Sequence, residues 1–415
     1  MHAKDVFTPG KYPTHTLVDV HLAAKEQQLK DALELGTMLV SISGPSKSGK
    51  TVFVKKALGN ENLIEITGAG IHSANDLWMR VFDILGTPVT QVQTKTHTSS
   101  VSGTGKASGQ ASIFVAKANV EGSVTGGYSH ASQIAESFSV DPLQLLKKEI
   151  GGTDFVVFID DFHYISKEVQ AELARQIKDA IANNCKFICA SVPYHSDDVI
   201  RGNADLRGRI FNIDFDYWDE SNLTMIAEMG FKLLNIAPDT NVISNLVKES
   251  AGSPQLMQYL CLNSCYEINA RSTSITSTTY PNNPDLLEKV CRRTLASADY
   301  SSIVDKMRDG PKTRGSDRKA YISTEGWQGD VYVFLLKAIA LNPPTLTFRY
   351  ADLVSRVQSL CIGESPSGSG ITSACQHSTA IANTAAANNI IEFDQENDVL
   401  DIRDPYLLFY LRWMD

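Results

Sequence analysis

The sequence lacks several features that would place it in a membrane, zinc-binding or strongly basic class. None of its apolar runs approaches the roughly 18 residues of a membrane-spanning helix, and no signal peptide is evident, so we expect a cytoplasmic protein. Its seven cysteines form no C-x-x-C pair, which favours buried thiols over zinc or disulfides. A net charge of −9 excludes a chain that is basic throughout, although a local basic patch remains open.

One glycine-rich stretch carries most of the functional information. Residues 44–51 read GPSKSGKT and match the P-loop pattern G-x-x-x-x-G-K-[ST] at every position. A short apolar run at 38–43 precedes the stretch and a helical pattern follows it, which is the setting that a P-loop needs. The predicted phosphate-binding residues are Gly44, Pro45, Ser46, Lys47, Ser48, Gly49, Lys50 and Thr51.

The residue types of this stretch indicate how a nucleotide and its metal would be held. Backbone N–H groups and the dipole at the start of the following helix attract phosphate. We expect Lys50 to reach the β- and γ-phosphates of ATP and to be catalytic, and Thr51 to hold Mg²⁺ through its hydroxyl. The alternative is a glycine-rich turn that matches the pattern by chance.

A second acidic motif follows about a hundred residues later. Residues 155–161 read FVVFIDD, a buried parallel strand that ends in two acids. We expect Asp160 to bind Mg²⁺ through water, because ligands of open α/β sheets collect at the carboxyl ends of strands. Asp161 would orient or activate the attacking water. By itself, a pair of acids at a strand end is common.

Polar residues after the next strand complete the predicted site. Ser191 ends that strand and is expected to contact the γ-phosphate, although a solvent-facing serine fits equally well. Arginines act in trans on the transferring phosphoryl group in many ATPases. Arg207 is the first candidate for that role and Arg209 the second, whereas salt bridges to Asp205 or Asp214 are the alternative.

The segment 91–132 differs in composition from its surroundings, being rich in Ser, Thr, Gly and Ala. Residues 113–128 alternate with period two, which predicts an inserted β-hairpin that turns near 119–123. Three interpretations remain open for it: a surface insertion, a ribbon that contacts neighbouring subunits, or a strand that enters a membrane. Membrane insertion is the least favoured of the three.

The ordered motifs resemble those of the AAA+/STAND branch of P-loop ATPases over roughly residues 15–415, except the insertion. The resemblance rests on GPSKSGKT, FVVFIDD, a strand ending at Ser191, LRGRI at 206–210 and Gly-Ser-Pro at 252–254. It implies that Pro254 touches the nucleotide. Asp161 stands where AAA+ motors usually carry Glu, and Gly-Ser-Pro stands where they often place an arginine. Both departures favour the STAND side, whose members are slow nucleotide switches.

The predicted fold class is α/β: a P-loop parallel sheet with a helical lid and a C-terminal winged helix. The domains are expected at 1–218 for the ATPase core, 219–304 for the lid, 305–330 for a linker and 331–415 for the winged helix. Region 331–415 carries five Lys or Arg against nine Asp or Glu, and residues 371–387 contain no Lys or Arg. Because DNA phosphates need such charges, protein contact is favoured over DNA contact. The basic linker is the one remaining candidate for nucleic acid.

These observations predict an ATP-hydrolysing switch that forms homo-oligomers in a nucleotide-dependent way. The sequence contains no recognisable nuclease, deaminase or protease motif, so we expect the chain to act with a partner protein. Bacterial antiviral defence is suggested by family analogy alone. The alternatives are a DNA-binding loader or regulator of transposition or replication, and a pore-forming effector that uses the 113–128 ribbon.

Overall fold

A computed structural model of the chain describes residues 1–92, 113–116, 141–192, 203–206, 208–313, 315, 317–386 and 389–414. The chain divides into two compact units. The sheet unit consists of residues 24–43 and 54–214, and the helical unit consists of residues 1–23, 44–53 and 215–415. The P-loop residues 44–51 fall in the helical unit. The domain bounds expected from the sequence stay a prediction.

The strands are β1 Leu39–Ser43, β2 Leu63–Thr67, β3 Val89–Val92, β4 Ile113–Ala116, β5 Val156–Asp160, β6 Lys186–Ser191, β7 Ile210–Asp214, β8 Ile236–Pro238, β9 Thr278–Tyr280, β10 Tyr321–Ile322, β11 Gln328–Gly329, β12 Thr347–Arg349, β13 Ile391–Asp394 and β14 Val399–Ile402. The helices are α1 Ala3–Val6, α2 Ala23–Leu35, α3 Lys50–Leu58, α4 Ala74–Leu85, α5 Pro142–Ile150, α6 Lys167–Ile181, α7 Glu220–Leu234, α8 Val242–Ser250, α9 Pro254–Glu267, α10 Pro284–Leu295, α11 Ser301–Asp309, α12 Val331–Ala340, α13 Tyr350–Ser359, α14 Gly368–Ala386 and α15 Pro405–Trp413.

The sheet unit is built on a five-stranded parallel sheet in the order β2-β5-β6-β1-β7. Strands β1, β5 and β6 are almost wholly buried, as their continuous apolar runs predict. Helices α4, α5 and α6 cover the sheet, and the ring of Trp78 packs edge-on against Phe187 in the core. Because parallel strands share one direction, the carboxyl ends of β1, β5 and β6 lie at one edge.

The lid part of the helical unit consists of α7 to α10 around a core that includes Phe231, Leu256 and Cys261. Within this part, β8 and β9 pair as short parallel strands that the sequence analysis did not mark. Three-residue strands are too short to produce a detectable period-two pattern, which explains the difference.

The C-terminal part runs α12, β12, α13, α14, β13, β14 and α15, with a three-stranded antiparallel sheet in the order β12-β14-β13. Three helices followed by a hairpin is the order that the sequence predicts. The additional strand β12, which the sequence analysis missed, pairs with β14. The α/β fold class with a parallel sheet and helices is confirmed.

The segment 305–330 differs from the predicted linker. Helix α11 reaches to Asp309 inside it, and β10 pairs with β11 as a hairpin. Val304 and Met307 are buried in the same hydrophobic core as Phe334 of α12. This segment packs as part of the C-terminal domain through Met307, Tyr321 and Trp327.

The inserted segment is described only at its ends. Strand β4 pairs antiparallel with β3, a strand that the sequence analysis did not mark. The rest of the predicted ribbon, residues 117–128, lies outside the described residues, and so does its turn near 119–123. Its role stays a prediction.

The cysteines behave as core residues. Six of the seven are buried, and Cys361 is partly exposed. Burial raises the pKa of Cys185 to about 11 and that of Cys265 to about 12. Within the described ranges, no group of three or more His, Cys, Asp or Glu side chains is placed to bind a metal. Over the same ranges, every helix is too short or too polar to cross a membrane.

Candidate functional site

The predicted P-loop follows directly from the carboxyl end of β1 and leads into α3, which begins at Lys50. Lys47 has a φ of 61° and Gly49 a φ of 95°, both in the left-handed region. These values fold the chain into a tight turn before the helix. The positive end of the α3 dipole lies at this turn and attracts an anion.

The side chain of Lys50 lies against the loop itself. Its Nζ donates hydrogen bonds to the carbonyl oxygens of Gly44 at 3.0 Å and Pro45 at 2.7 Å, and the residue is 7% exposed. A Cβ at position 44 would overlap the backbone of Phe215, so only glycine fits there. The buried ammonium and the tight turn together form a cradle suited to phosphate.

The other predicted loop residues differ in how much of their surface is exposed to solvent. Pro45 and Ser48 are buried, Ser46 and Thr51 are half-buried, and Lys47 is exposed. Trp218 donates a hydrogen bond from Nε1 to the carbonyl oxygen of Ser48 at 2.9 Å, and this bond helps to fix the loop. The hydroxyl of Ser48 is buried and has no hydrogen-bond partner among the described residues.

The two acids of the second motif lie at the end of β5 in the sheet unit. Asp161 adopts a left-handed φ of 53°, and its N–H donates to Oδ1 of Asp160 at 2.9 Å. The N–H of Gly68 donates to the Asp160 carbonyl oxygen at 2.7 Å, and a Cβ on Gly68 would overlap the backbone of Asp161. These contacts with the loop after β2 therefore hold Asp161 in its left-handed backbone conformation.

The loop after β2 is itself fixed by one arginine. The guanidinium of Arg80 donates to the carbonyl oxygens of Ala69 at 3.0 Å and Gly70 at 2.9 Å. Arg80 in α4 thus braces the loop that presses on the Asp160–Asp161 turn. The sequence analysis missed this support, since an arginine on a helix surface carries no distinguishing pattern.

Ser191 lies where the sequence predicts it. It ends β6, is 6% exposed, and its Cα faces Ser43 at the end of β1. The next residue, Val192, donates its N–H to Nδ1 of His163 at 3.4 Å. The short 3₁₀ turn Phe162–Tyr164 therefore connects the acidic motif to the end of β6.

The arginine candidates are only partly described. Arg207 and the neighbouring Arg201 lie outside the described residues. Arg209 is exposed, and its carbonyl oxygen accepts the N–H of Leu39 at 2.8 Å just before β7. The backbone of Arg209 is thus held to the start of β1. A role for either arginine in trans stays a prediction.

The Gly-Ser-Pro turn begins α9 of the lid. Gly252 has a φ of 79°, and a Cβ there would overlap the side chain of Tyr217. Ser253 caps the helix by accepting the Leu256 N–H at 3.2 Å, and Pro254 takes the first helical position. The Trp218 N–H donates to the Gly252 carbonyl oxygen at 3.0 Å.

Tyr217 and Trp218 form a connection that the sequence analysis missed. Trp218 contacts both the P-loop and the Gly-Ser-Pro turn, and the Tyr217 hydroxyl donates to the Ile402 carbonyl oxygen of β14 at 3.0 Å. The only signal in the sequence is an aromatic pair between the last sheet strand and the first lid helix.

Several basic residues near the predicted linker are paired with acids. Arg318 Nη1 lies 2.8 Å from Asp330 Oδ2, Lys319 contacts Glu364, and Arg308 lies 3.4 Å from Asp305. Arg318 also lies over the ring of Tyr332. These pairs reduce the positive charge that the segment offers to a phosphate backbone.

Comparison with known proteins identifies relatives of the fold. No protein-family profile and no curated protein matches the chain. The Walker-type ATPase paby2304 of Pyrococcus abyssi is 17% identical, with a TM-score of 0.54 over 98% of this chain and 99% of that one. The ORC2 protein of Aeropyrum pernix, solved as ADPNP–ADP complexes, is 12% identical, with a TM-score of 0.52 over 99% and 96%. At these identities, the similarity establishes the fold.

Proposed function

We propose that the protein binds ATP with Mg²⁺ and hydrolyses it slowly. The observation that carries this proposal is the conformation of residues 44–51, in which a full P-loop motif turns tightly between a parallel strand and a helix that begins at Lys50. The fold shared with a Walker-type ATPase and with a protein solved in nucleotide complexes agrees with it.

Each predicted site residue has a role in this proposal. Lys50 neutralises the β- and γ-phosphates, and the loop amides and Pro254 contact the nucleotide. Thr51 supplies a hydroxyl ligand to Mg²⁺ and Asp160 holds the ion through one of the waters that Mg²⁺ retains. Asp161 positions the attacking water, and Ser191 senses the γ-phosphate.

Nucleotide titration of three variants tests the proposal. Lys50→Met is expected to weaken ATP binding about 100-fold, because it removes the cation that neutralises the β- and γ-phosphates. Lys55→Met is the matched control, since Lys55 lies on the same helix but pairs with Glu65 at 2.7 Å. Asp161→Asn should bind ATP yet lose hydrolysis. Equal affinity of wild type and Lys50→Met would refute the proposal.

We further propose that ATP favours a homo-oligomer in which Arg207 or Arg209 completes a neighbour's site. Such arginines contribute about 10³–10⁵ in rate where present. Light scattering of wild type and Asp161→Asn with ATP and with ADP tests this. Growth only with ATP, retained by Asp161→Asn, is expected, whereas a single mass in all conditions would refute it. A partner protein and an antiviral setting rest on family resemblance alone.

A second candidate is a DNA-binding ATPase. The observation that favours it is the C-terminal order of helices and strands, which is that of a winged helix, a fold that in other proteins places a helix in the DNA groove. Duplex DNA anisotropy at about 50 and 200 mM salt decides between the candidates, because phosphate contacts lose affinity steeply with salt. Salt-dependent binding supports this candidate, and its absence at low salt removes it.

A further inference from the structure

Lys47 projects from the P-loop onto the C-terminal helix. Its Nζ lies 3.6 Å from Oδ2 of Asp404 and 3.9 Å from the centroid of the Tyr406 ring. All three residues belong to the helical unit. A cation held by both a carboxylate and an aromatic face is attracted by both. The loop that is predicted to bind phosphate therefore has one of its own cations already engaged by an acid.

Asp404 is a buried and well-fixed carboxylate. It is 6% exposed and caps α15, with Oδ1 accepting the Tyr406 N–H at 2.9 Å. The Tyr300 hydroxyl donates to Oδ2, the same oxygen that faces Lys47. These hydrogen bonds fix the position of the carboxylate independently of Lys47. In such a partly desolvated position, charges interact more strongly than at an exposed surface.

A phosphate in the loop would place a second anion close to Lys47. The left-handed backbone at Lys47 belongs to the tight turn of the predicted phosphate-binding loop. Asp404 and the phosphates would then compete for the same ammonium, so Asp404 takes away part of the attraction that Lys47 offers to the nucleotide. That attraction grows with the charge of the nucleotide, so ATP loses more of it than ADP does.

We propose that Asp404, acting through Lys47, is a specificity-determining residue that lowers nucleotide affinity and does so more for ATP than for ADP. This inference rests on the proposed nucleotide-binding function. Because coupling between two interactions is reciprocal, bound phosphate also weakens the attraction between Asp404 and Lys47. Two other hydrogen bonds connect the P-loop to the C-terminal domain independently of Asp404. Trp218 donates to Ser48 in the loop, and the adjacent Tyr217 donates to Ile402 in β14.

Asp404→Asn is the variant that isolates the charge. Asparagine caps helices as well as aspartate and keeps the side-chain shape. We expect it to tighten ATP binding about three- to tenfold and ADP binding less, as one charge at partly screened distances would. In a Lys47→Met background, the same substitution should change ATP affinity much less, because the shared cation is gone.

Asp401→Asn is the matched control, since it makes the same change in net charge three residues earlier on β14. Full-length proteins are titrated with ATP and ADP by calorimetry, and thermal melts check folding. Asp404→Ser, a second neutral cap, replaces Asp404→Asn if that variant melts early.

Tighter ATP binding by Asp404→Asn alone supports the inference. Unchanged or weaker binding, an equal gain in Asp401→Asn, or a gain that persists with Lys47→Met overturns it. A wild-type protein that binds no ATP refutes instead the proposed function, and the inference with it. The two failures are thus distinguishable.

Discussion

The carboxyl end of β5 and the C-terminal domain use their charged side chains in different ways. At the end of β5, Asp160 and Asp161 are held by backbone hydrogen bonds and by the close approach of Gly68. In the C-terminal domain, Arg412 and Arg318 are engaged by Glu249 and Asp330. Rigidly held acids in the first region suit chemistry, whereas ion pairs in the second serve packing. Local charge alone therefore does not identify a functional surface.

The largest expected effect concerns the buried pair of Arg412 and Glu249. The two side chains are 6% and 8% exposed and lie 2.7 Å apart, and Trp413 Nε1 also donates to Glu249. Arg412→Met should destabilise the fold by about 3–5 kcal/mol, because it leaves a buried carboxylate without its cation. Urea denaturation measures the free energy of unfolding.

Arg308→Met is the control for that experiment, since Arg308 pairs with Asp305 at an exposed position. Exposed pairs contribute about 0–1 kcal/mol, so its effect should be small. A loss in Arg412→Met no greater than in the control would show that the C-terminal pairs are not structural, which would remove the contrast between the two regions.

The next effect concerns the left-handed backbone of Asp161 in the sheet unit. Asp161→Ala should destabilise the protein by about 1 kcal/mol more than Asp161→Asn, because Asn tolerates a positive φ and Ala does not. Both variants should lose hydrolysis alike. Thermal unfolding compares them, and equal stability would mean that the turn carries no backbone strain.

A smaller effect is expected at the cap of α9 in the lid. Ser253 is 1% exposed and its hydroxyl accepts the Leu256 N–H. Ser253→Ala should cost about 1 kcal/mol, a typical value for the loss of an N-cap. Ser253→Asp should retain most of the stability, since aspartate also caps. Denaturant unfolding of the two variants gives the comparison.

The smallest effect is a dependence of stability on pH at Glu26. Hydrogen bonds from Lys30 and Lys56 lower the pKa of Glu26 below its ordinary value of 4.5. Since the folded pKa is the lower one, the stabilisation is present above 4.5 and is lost as the pH falls through the folded pKa. We expect the ion pairs of Glu26 to contribute about 0.5 kcal/mol to the free energy of unfolding, because such pairs are screened by solvent.

Glu26→Gln tests this sign. The difference in unfolding free energy between wild type and Glu26→Gln should be constant near neutral pH and shrink as the solution is acidified below 4.5. A difference that grows on acidification would contradict the lowered pKa. The ion pair between Glu26 and Lys56 joins α2 to α3 inside the sheet unit, so this measurement reports on a contact within that unit.

Much of the fold was predictable because its signals are local. The apolar runs of β1, β5 and β6 and the four-residue repeats of α6 are properties of neighbouring residues. The pairings of β8 with β9 and of β12 with β14 could not be predicted, because each strand has only three or four residues and its partner is distant in the sequence. The burial of Met307 within the predicted linker could not be predicted either, because this residue finds its core only in the folded domain.

By itself, the sequence determined that a P-loop would stand between a strand and a helix, because that motif is contiguous and its glycines meet a local conformational need. It also determined the acidic strand end at Asp160. Only the tertiary structure decided which groups surround these residues. Lys47 contacts Asp404, and Trp218 contacts Ser48, across 170 or more residues of chain. Contacts of that kind arise from packing, which no local pattern encodes.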